Sequence, residues 1–156
     1  MTEPKRRSIC KNRRARFDYQ IEETFEAGIA LLGSEVKSLR EGRANLVDSY
    51  ARISDGEVFL MKAHIAPYEQ ANRENHDPVR PRKLLLHRSE IRRLTGKVHE
   101  RGRTLIPLEL YFERGRAKVE LALARGKKRH DKREAIAKRE SDRQLQRITK
   151  REARRG

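Results

Sequence analysis

From Phe17 the chain alternates: Phe17, Tyr19, Ile21 and Phe25 fall on one face, and Asp18, Gln20, Glu22, Thr24 and Glu26 on the other. A period of two with one polar face predicts a long, half-buried strand. Gly28, within EAGIALLG, marks a bend or bulge of the kind that tightly curled sheets require. Gly33-Ser34 ends the alternation, and Ser34 is a fair N-cap for a two-turn helix over EVKSLRE with Val36 and Leu39 on one side and Gly42 as the stop. A second strand is expected over about Leu46 to Ser54, and Asp55-Gly56 turns it back into EVFLMKAHI as an antiparallel hairpin.

The stretch APYEQANRENHDPVRP, with three prolines and three Asn/Asp residues, has no sustained period and reads as loop. RKLLLH is a brief buried strand. Ser89 caps a helix to about Arg101, with Ile91, Leu94 and Val98 at helical spacing, Gly96 as a weak point and Gly102 as terminator. Thr104 to Glu113 and Arg116 to Arg125 form a last hairpin across Arg114-Gly115. Pro107 lacks a backbone donor, which puts its strand at an edge or its nitrogen outward. Many short antiparallel strands with a helix before the last pair predict a mainly β chain: a small closed antiparallel OB-fold-like barrel with embedded helices. A two-layer α+β sheet is the alternative.

Charge changes the picture at both ends. Met1 to Arg16 carries seven basic residues and one acid, Gly126 to Gly156 carries 13 and five, and Phe17 to Arg125 is nearly balanced at 19 and 17. The expected organisation is therefore a basic flexible N-terminal arm over 1–12, a barrel over 13–125 and a basic C-terminal tail over 126–156. In the tail only Ile136, Leu145 and Ile148 are large and apolar, too few to seal a helix onto a core. It is expected to stay disordered until it meets a polyanion, nucleic acid above all, although a basic extension that merely aids solubility has the same composition. Cys10 is the only cysteine, and no run is apolar enough to cross a membrane or lead a signal peptide. The expectation is a cytoplasmic protein with no membrane contact.

No phosphate-cradling glycine loop, nucleophile elbow or paired Cys/His spacing is present, so no catalytic residue, metal or cofactor is expected. His64, His76, His87 and His99 are scattered and read as loop, surface or satisfied core residues. Glu22, Glu23 and Glu26 sit among arginines and read as ion-pair partners. RNA binding has better support. Tyr19, Tyr50, Phe59, Tyr68, Tyr111 and Phe112 include several that a barrel this small needs inside, while Tyr50 and Tyr68 are placed to stack on bases as readily as to pack. His130, embedded in KKRHDKR, is far from any core segment and suits stacking among phosphate-holding cations.

The wording of the segments adds to this. FEAGIALLGSEVKSLREGRANLVDSY, GEVFLMKAHIAPY, NHDPVRPRKLLLHRSEI, TLIPLELYF and KVELALARGKKRHDKR, in unbroken order from about Asn12 to Arg133, closely resemble the SsrA-binding (small protein B) family. The resemblance implies an OB-fold barrel and a non-enzymatic role: binding the tRNA-like end of transfer-messenger RNA and carrying it, with elongation factor Tu engaged through the RNA, into ribosomes stalled on messages without a stop codon. It also implies a monomer whose tail becomes helical in the empty message channel beyond the small-subunit decoding centre. Carried over position by position, it implies RNA-elbow roles for Glu26, Leu85 and Lys118, to which Tyr19 and Tyr50 are added as candidate RNA contacts. It assigns decoding-centre roles to Gly126, Lys127, Lys128, His130, Asp131, Lys132 and Arg133. Lys118 suits a phosphate contact directly. Glu26 suits accepting a bond from a base or sugar, or orienting a neighbouring arginine, and Leu85 suits either a base or the core. Two other classes remain: a ribosomal or assembly protein with similar tails, and an RNA-cleaving or RNA-modifying enzyme.

Overall fold

The computed structural model describes the backbone of residues 6–100, 102–127 and 129–155, and their side chains except those of 72–74, 129–135 and 151–155. Two compact units, Met1–Gly126 and Lys127–Gly156, divide the chain.

In the first unit the strands are β1 (Arg6–Lys11), β2 (Tyr19–Ile29), β3 (Ala44–Asn45), β4 (Tyr50–Ser54), β5 (Glu57–Met61), β6 (His64–Ile65), β7 (Arg82–Leu85), β8 (Arg103–Glu113) and β9 (Arg116–Gly126). The helices are α1 (Ala15–Asp18), α2 (Gly33–Arg40) and α3 (Arg88–Val98), with a 3-10 segment at Glu69–Glu74. Among the described residues the large sheet has seven strands in the order β1-β8-β4-β5-β7-β2-β9, and β9 pairs again with β8. The pairings from β8 through β4, β5, β7, β2 and β9 therefore return to their start, all of them antiparallel. β3 and β6 form a separate small ladder.

Residues facing inward from these strands make the main core: Phe25, Ala27, Ile29, Val58, Leu60, Leu84, Leu105, Leu110, Val119, Leu121 and Leu123, joined by Leu39 of α2 and Leu94 of α3. A smaller cluster of Ala15, Ile106, Leu108, Ala122 and Ala124, with Tyr19 and Ile21 against it, takes in α1. A register shift between Ile21 and Glu23 separates the two sets. Tyr19 and Ile21 thus pack with the α1 cluster, while Phe25 points into the main core. The alternation that looks continuous in the sequence is broken there, and not at Gly28, because one extra residue in a strand swaps the face of all that follow.

Several expectations are corrected. The arm over 1–12 is not flexible from Arg6 on: β1 pairs with β8 from Arg6↔Glu113 to Lys11↔Glu109, and Ile9 and Cys10 pack against the core. Leu32, not Ser34, is the N-cap of α2, and Glu35 accepts the Leu32 N–H at 2.8 Å. α3 begins at Arg88, one residue before the expected cap, and Glu90 accepts the N–H of its N-cap His87 at 3.1 Å. The strand expected over 46–54 is confined to Tyr50–Ser54. Of the two placements expected for Pro107, the edge is overturned, since β9 flanks β8 on one side and β1 and β4 on the other; Pro107 sits at a register shift between Pro107 and Glu109, where a missing donor is tolerated. Both hairpin turns are as the sequence indicates, with Asp55 and Gly56, and Arg114 and Gly115, at positive φ.

In the second unit Arg129–Arg155 is one helix, α4. The sequence leads one to expect no order before a polyanion is met. The helical conformation fits a run without Gly or Pro that is rich in Ala, Arg, Lys, Glu and Gln. Ile136, Leu145 and Ile148 are all exposed on it. Among the described residues no helix is long and apolar enough to cross a membrane.

Candidate RNA interface

Strand register assembles the site. Gly28 on β2 is opposite Leu85 on β7 and opposite Lys118 on β9, and Lys118 is in turn opposite Tyr111 on β8. Directly paired residues share a face, so Leu85, Gly28, Lys118 and Tyr111 form a row across four strands. It is the outer face, since the intervening Ala27, Leu84, Leu110 and Val119 belong to the main core. Glu26, two residues before Gly28, is on the same face beside Lys118.

Leu85 is 52% exposed. That removes the buried-core role left open by the sequence and leaves an apolar side chain facing solvent. Gly28 makes room for it: a Cβ on Gly28 would come within 3.2 Å of the Leu85 Cβ. Gly28 is absent from the positive-φ residues, so its lack of a side chain matters here for space rather than for backbone freedom. A cleft of about 380 Å³ opens beside the row, with Gly28, Val36, Leu85, Phe112, Arg116 and Lys118 in its walls.

The polar half of the row is braced. Lys118 Nζ donates to Glu26 Oε1 at 2.5 Å, and the Tyr111 hydroxyl donates to Glu26 Oε2 at 2.9 Å. Lys118 also lies 3.9 Å from Glu113. The Lys118 ammonium, then the Tyr111 hydroxyl, hold the Glu26 carboxyl below its ordinary pKa. Burial, followed by the bond to Glu26, pushes the Tyr111 phenol up, so it stays a donor. Arg6 of β1 stacks on the Tyr111 ring at 3.8 Å and donates to Glu109 at 2.8 Å, which leaves Tyr111 1% exposed. Glu26 therefore orients a lysine, where the sequence left open a base or sugar donor or a neighbouring arginine. An ammonium has three donors, so one bond to Glu26 leaves capacity for a phosphate.

A buried ion pair sets β7 in place. Glu35 and Arg82 are both 0% exposed. Glu35 accepts from Arg82 Nε and from Arg80 Nε at 3.1 Å, while Arg82 also donates to the Ala63 carbonyl at 2.7 Å and the Pro78 carbonyl at 3.1 Å. Burial works to raise the Glu35 pKa, but the bonds from Arg80, the Leu32 N–H and Arg82 outweigh it and the net direction is down. His76, 6% exposed, is a satisfied core histidine between Ser34 Oγ at 2.9 Å and the Ile65 carbonyl at 2.9 Å.

Tyr19 and Tyr50 come together elsewhere, in a cleft of about 500 Å³ with Asn12, Arg14, Asp48 and Thr104. Tyr68 lies under the Lys37 ammonium at 5.5 Å. Lys127 is the last described residue before α4. Lys128 lies outside the described residues, as do the side chains of His130, Asp131, Lys132 and Arg133. Sequence reasoning did not connect Tyr111, Arg6 or Gly28 with this face. Only Gly28 carried a local signal, as a glycine inside a strand.

A curled antiparallel sheet that shows an open leucine, a braced lysine and a carboxylate on its outside, followed by a strongly cationic helix, has the make-up of an RNA-binding protein. Residues 9–151 match the family model described as SmpB protein, and the chain belongs to that family. The SsrA-binding protein of Syntrophobacter fumaroxidans is 63% identical over 150 residues, covering 96% of this chain and 93% of that protein. The SsrA-binding protein of Moorella thermoacetica is 65% identical over 140 residues, covering 89% and 90%. A solved structure described as "tmRNA-SmpB: a journey to the center of the bacterial ribosome" has 58% identity and a TM-score of 0.66, covering 81% of this chain and 93% of that one. The family is one of RNA-binding proteins and not of enzymes.

Proposed function

We propose that this protein binds the tRNA-like domain of transfer-messenger RNA through the outer row of Leu85, Gly28, Lys118 and Glu26, and delivers it to stalled ribosomes for trans-translation. The observation that carries the reading is Leu85 held open on the sheet beside a lysine fixed by Glu26. An apolar side chain next to a positioned ammonium suits a base and its phosphate together. Family membership supports the choice of RNA, and elongation factor Tu is engaged through that RNA. The protein acts as a cytoplasmic monomer.

The tail has a separate task in this reading. α4 enters the empty message channel past the decoding centre, with Lys127, Lys128, Lys132 and Arg133 on ribosomal phosphates, His130 on a base and Asp131 within the same run. Its charge favours a polyanionic channel. Deleting 127–156 then leaves binding of the tRNA-like domain nearly intact while tagging of stalled peptides is lost. Equal loss of both refutes the division. Binding by the first unit weakens with salt at a slope of about −0.7 to −0.9 per phosphate neutralised, and Lys118→Ala lowers that slope by about one phosphate. An unchanged slope in Lys118→Ala removes Lys118 from the phosphate contacts.

A further inference from the structure

The outer face does not end at Leu85. Two residues earlier on β7, and on the same face, lies Lys83, which is opposite Phe59 of β5. Phe59 is in turn opposite Arg52 of β4. Val58 and Leu60, on either side of Phe59, are buried in the core, so its ring is on the outside. It belongs to neither apolar cluster and is partly exposed. A barrel this small has every reason to use a phenylalanine inside, and this one is not so used.

Tyr111 gives the contrast. It is on the same outer face, but Arg6 lies over its ring and closes it off. No such cation lies over the Phe59 ring; among the described residues the capped rings are Tyr111 and Tyr68. The flanking cations are in reach of a ligand instead. Arg52 is exposed and engaged by no carboxylate among the described residues. Lys83 is held at 3.0 Å by Glu57 in a pair that is about half exposed on both sides, and such a pair opens at little cost. A partly exposed aromatic ring on the outer face with a cation on each side is an arrangement that can stack one base and hold its phosphates.

We infer that Phe59, flanked by Arg52 and Lys83, is a stacking site for an unpaired base of the same RNA that the Leu85–Lys118 row binds. The inference rests on that RNA-binding reading. Continuity identifies the occupant. Phe59 is one strand across and two residues along from Leu85, about 5 Å by about 7 Å, so a strand that runs along the Leu85–Lys118 row and continues past Leu85 reaches it. A protein partner would meet an apolar patch of one ring between two cations, whereas an RNA strand matches both charge and ring.

The chain has no tryptophan, so Phe59→Trp in the full-length protein provides a single reporter at the site. With the tRNA-like domain of transfer-messenger RNA added to saturation, followed independently by anisotropy of the labelled RNA, the indole emission of Phe59→Trp is quenched by stacking. Phe59→Leu keeps an apolar side chain and binds the same RNA about 5- to 100-fold more weakly, while Phe59→Tyr binds as the parent does. Thermal melts establish that each variant is folded. Indole emission unmoved at RNA saturation, or Phe59→Leu with parental affinity, overturns the inference. Lys118→Ala separates the two ideas. If it weakens binding while the indole of Phe59→Trp stays silent, the Phe59 site fails and the wider reading stands; if the RNA does not bind the parent protein, the wider reading itself fails.

Discussion

Replacing Glu35 by Gln tests whether one buried carboxylate organises the segment that carries Leu85. Glu35 takes the Leu32 N–H, Arg80 and Arg82 on its two oxygens, and neither it nor Arg82 is exposed. Glutamine keeps the volume but removes the charge and turns one acceptor into a donor facing guanidinium donors. The cost is that of an uncompensated buried cation, about 3–5 kcal/mol. For a folded body of this size, at about 3–5 °C per kcal/mol, the expected fall in Tm is about 10–20 °C by calorimetry or circular dichroism. Adding Arg82→Met removes the stranded charge and should return about 1–2 kcal/mol; recovery is partial because the Ala63 and Pro78 carbonyls lose their donor. A Glu35→Gln loss below about 1 kcal/mol, or a double variant less stable than the single one, would refute the claim that Arg82 depends on this charge. A neutral result would place the anchoring of β7 in its strand pairing alone.

Gly28→Ala puts a Cβ 3.2 Å from the Leu85 Cβ, which moves only with the β7 backbone, so β2 and β7 must part by a few tenths of an ångström: the expected loss of stability is about 1 kcal/mol, and RNA binding weakens by about 3- to 10-fold as Leu85 is displaced. Parental affinity would show that the Leu85 position is not critical. Burial, reinforced by the Glu109 charge, pushes the Cys10 thiol from 9.0 up to about 11, so at pH 7.5 it should alkylate about 100-fold more slowly than an unperturbed thiol. Fast labelling of the native protein would mean that β1 detaches from β8. Glu26 and Glu35 both have folded pKa values below the ordinary 4.5. Their contribution is fully present above about pH 4.5 and is lost as pH falls through the lowered folded values, so Tm against pH should be level from 7 to about 5 and drop below that. In Glu35→Gln the drop should be shallower, and an identical slope would assign the acid loss to other groups.

What the sequence made legible was local. Asp55-Gly56 and Arg114-Gly115 announce their hairpins because a turn with two positive φ values is decided by the two residues in it. β1 gave no such sign: RRSICK has little alternation, and what holds it is a partner strand about a hundred residues away in β8. The irregularity at Ile21/Glu23 was hidden for a different reason. An extra residue inside the polar run Glu22-Glu23 leaves the apolar spacing looking continuous while exchanging the faces on either side. The Glu35–Arg82 pair spans 47 residues, and a charged residue destined for burial looks like any other until its partner is placed.

The candidate site lies between these cases. In KLLLH the resemblance selected Leu85, but the residues alone do not say which leucine faces out; register does, by setting Leu84 in the core and Leu85 opposite Gly28. A glycine inside a strand signals either a bulge or a close approach by another group. The sequence alone points to a bend or bulge at Gly28, and the close approach is what the fold uses. That choice has a physical consequence. A bulge at Gly28 would have turned Ile29 and the residues after it away from the core, and the pairing of Gly28 with both Leu85 and Lys118 would not exist. The regular path of β2 through Gly28 is therefore what brings the apolar and cationic halves of the interface onto one face.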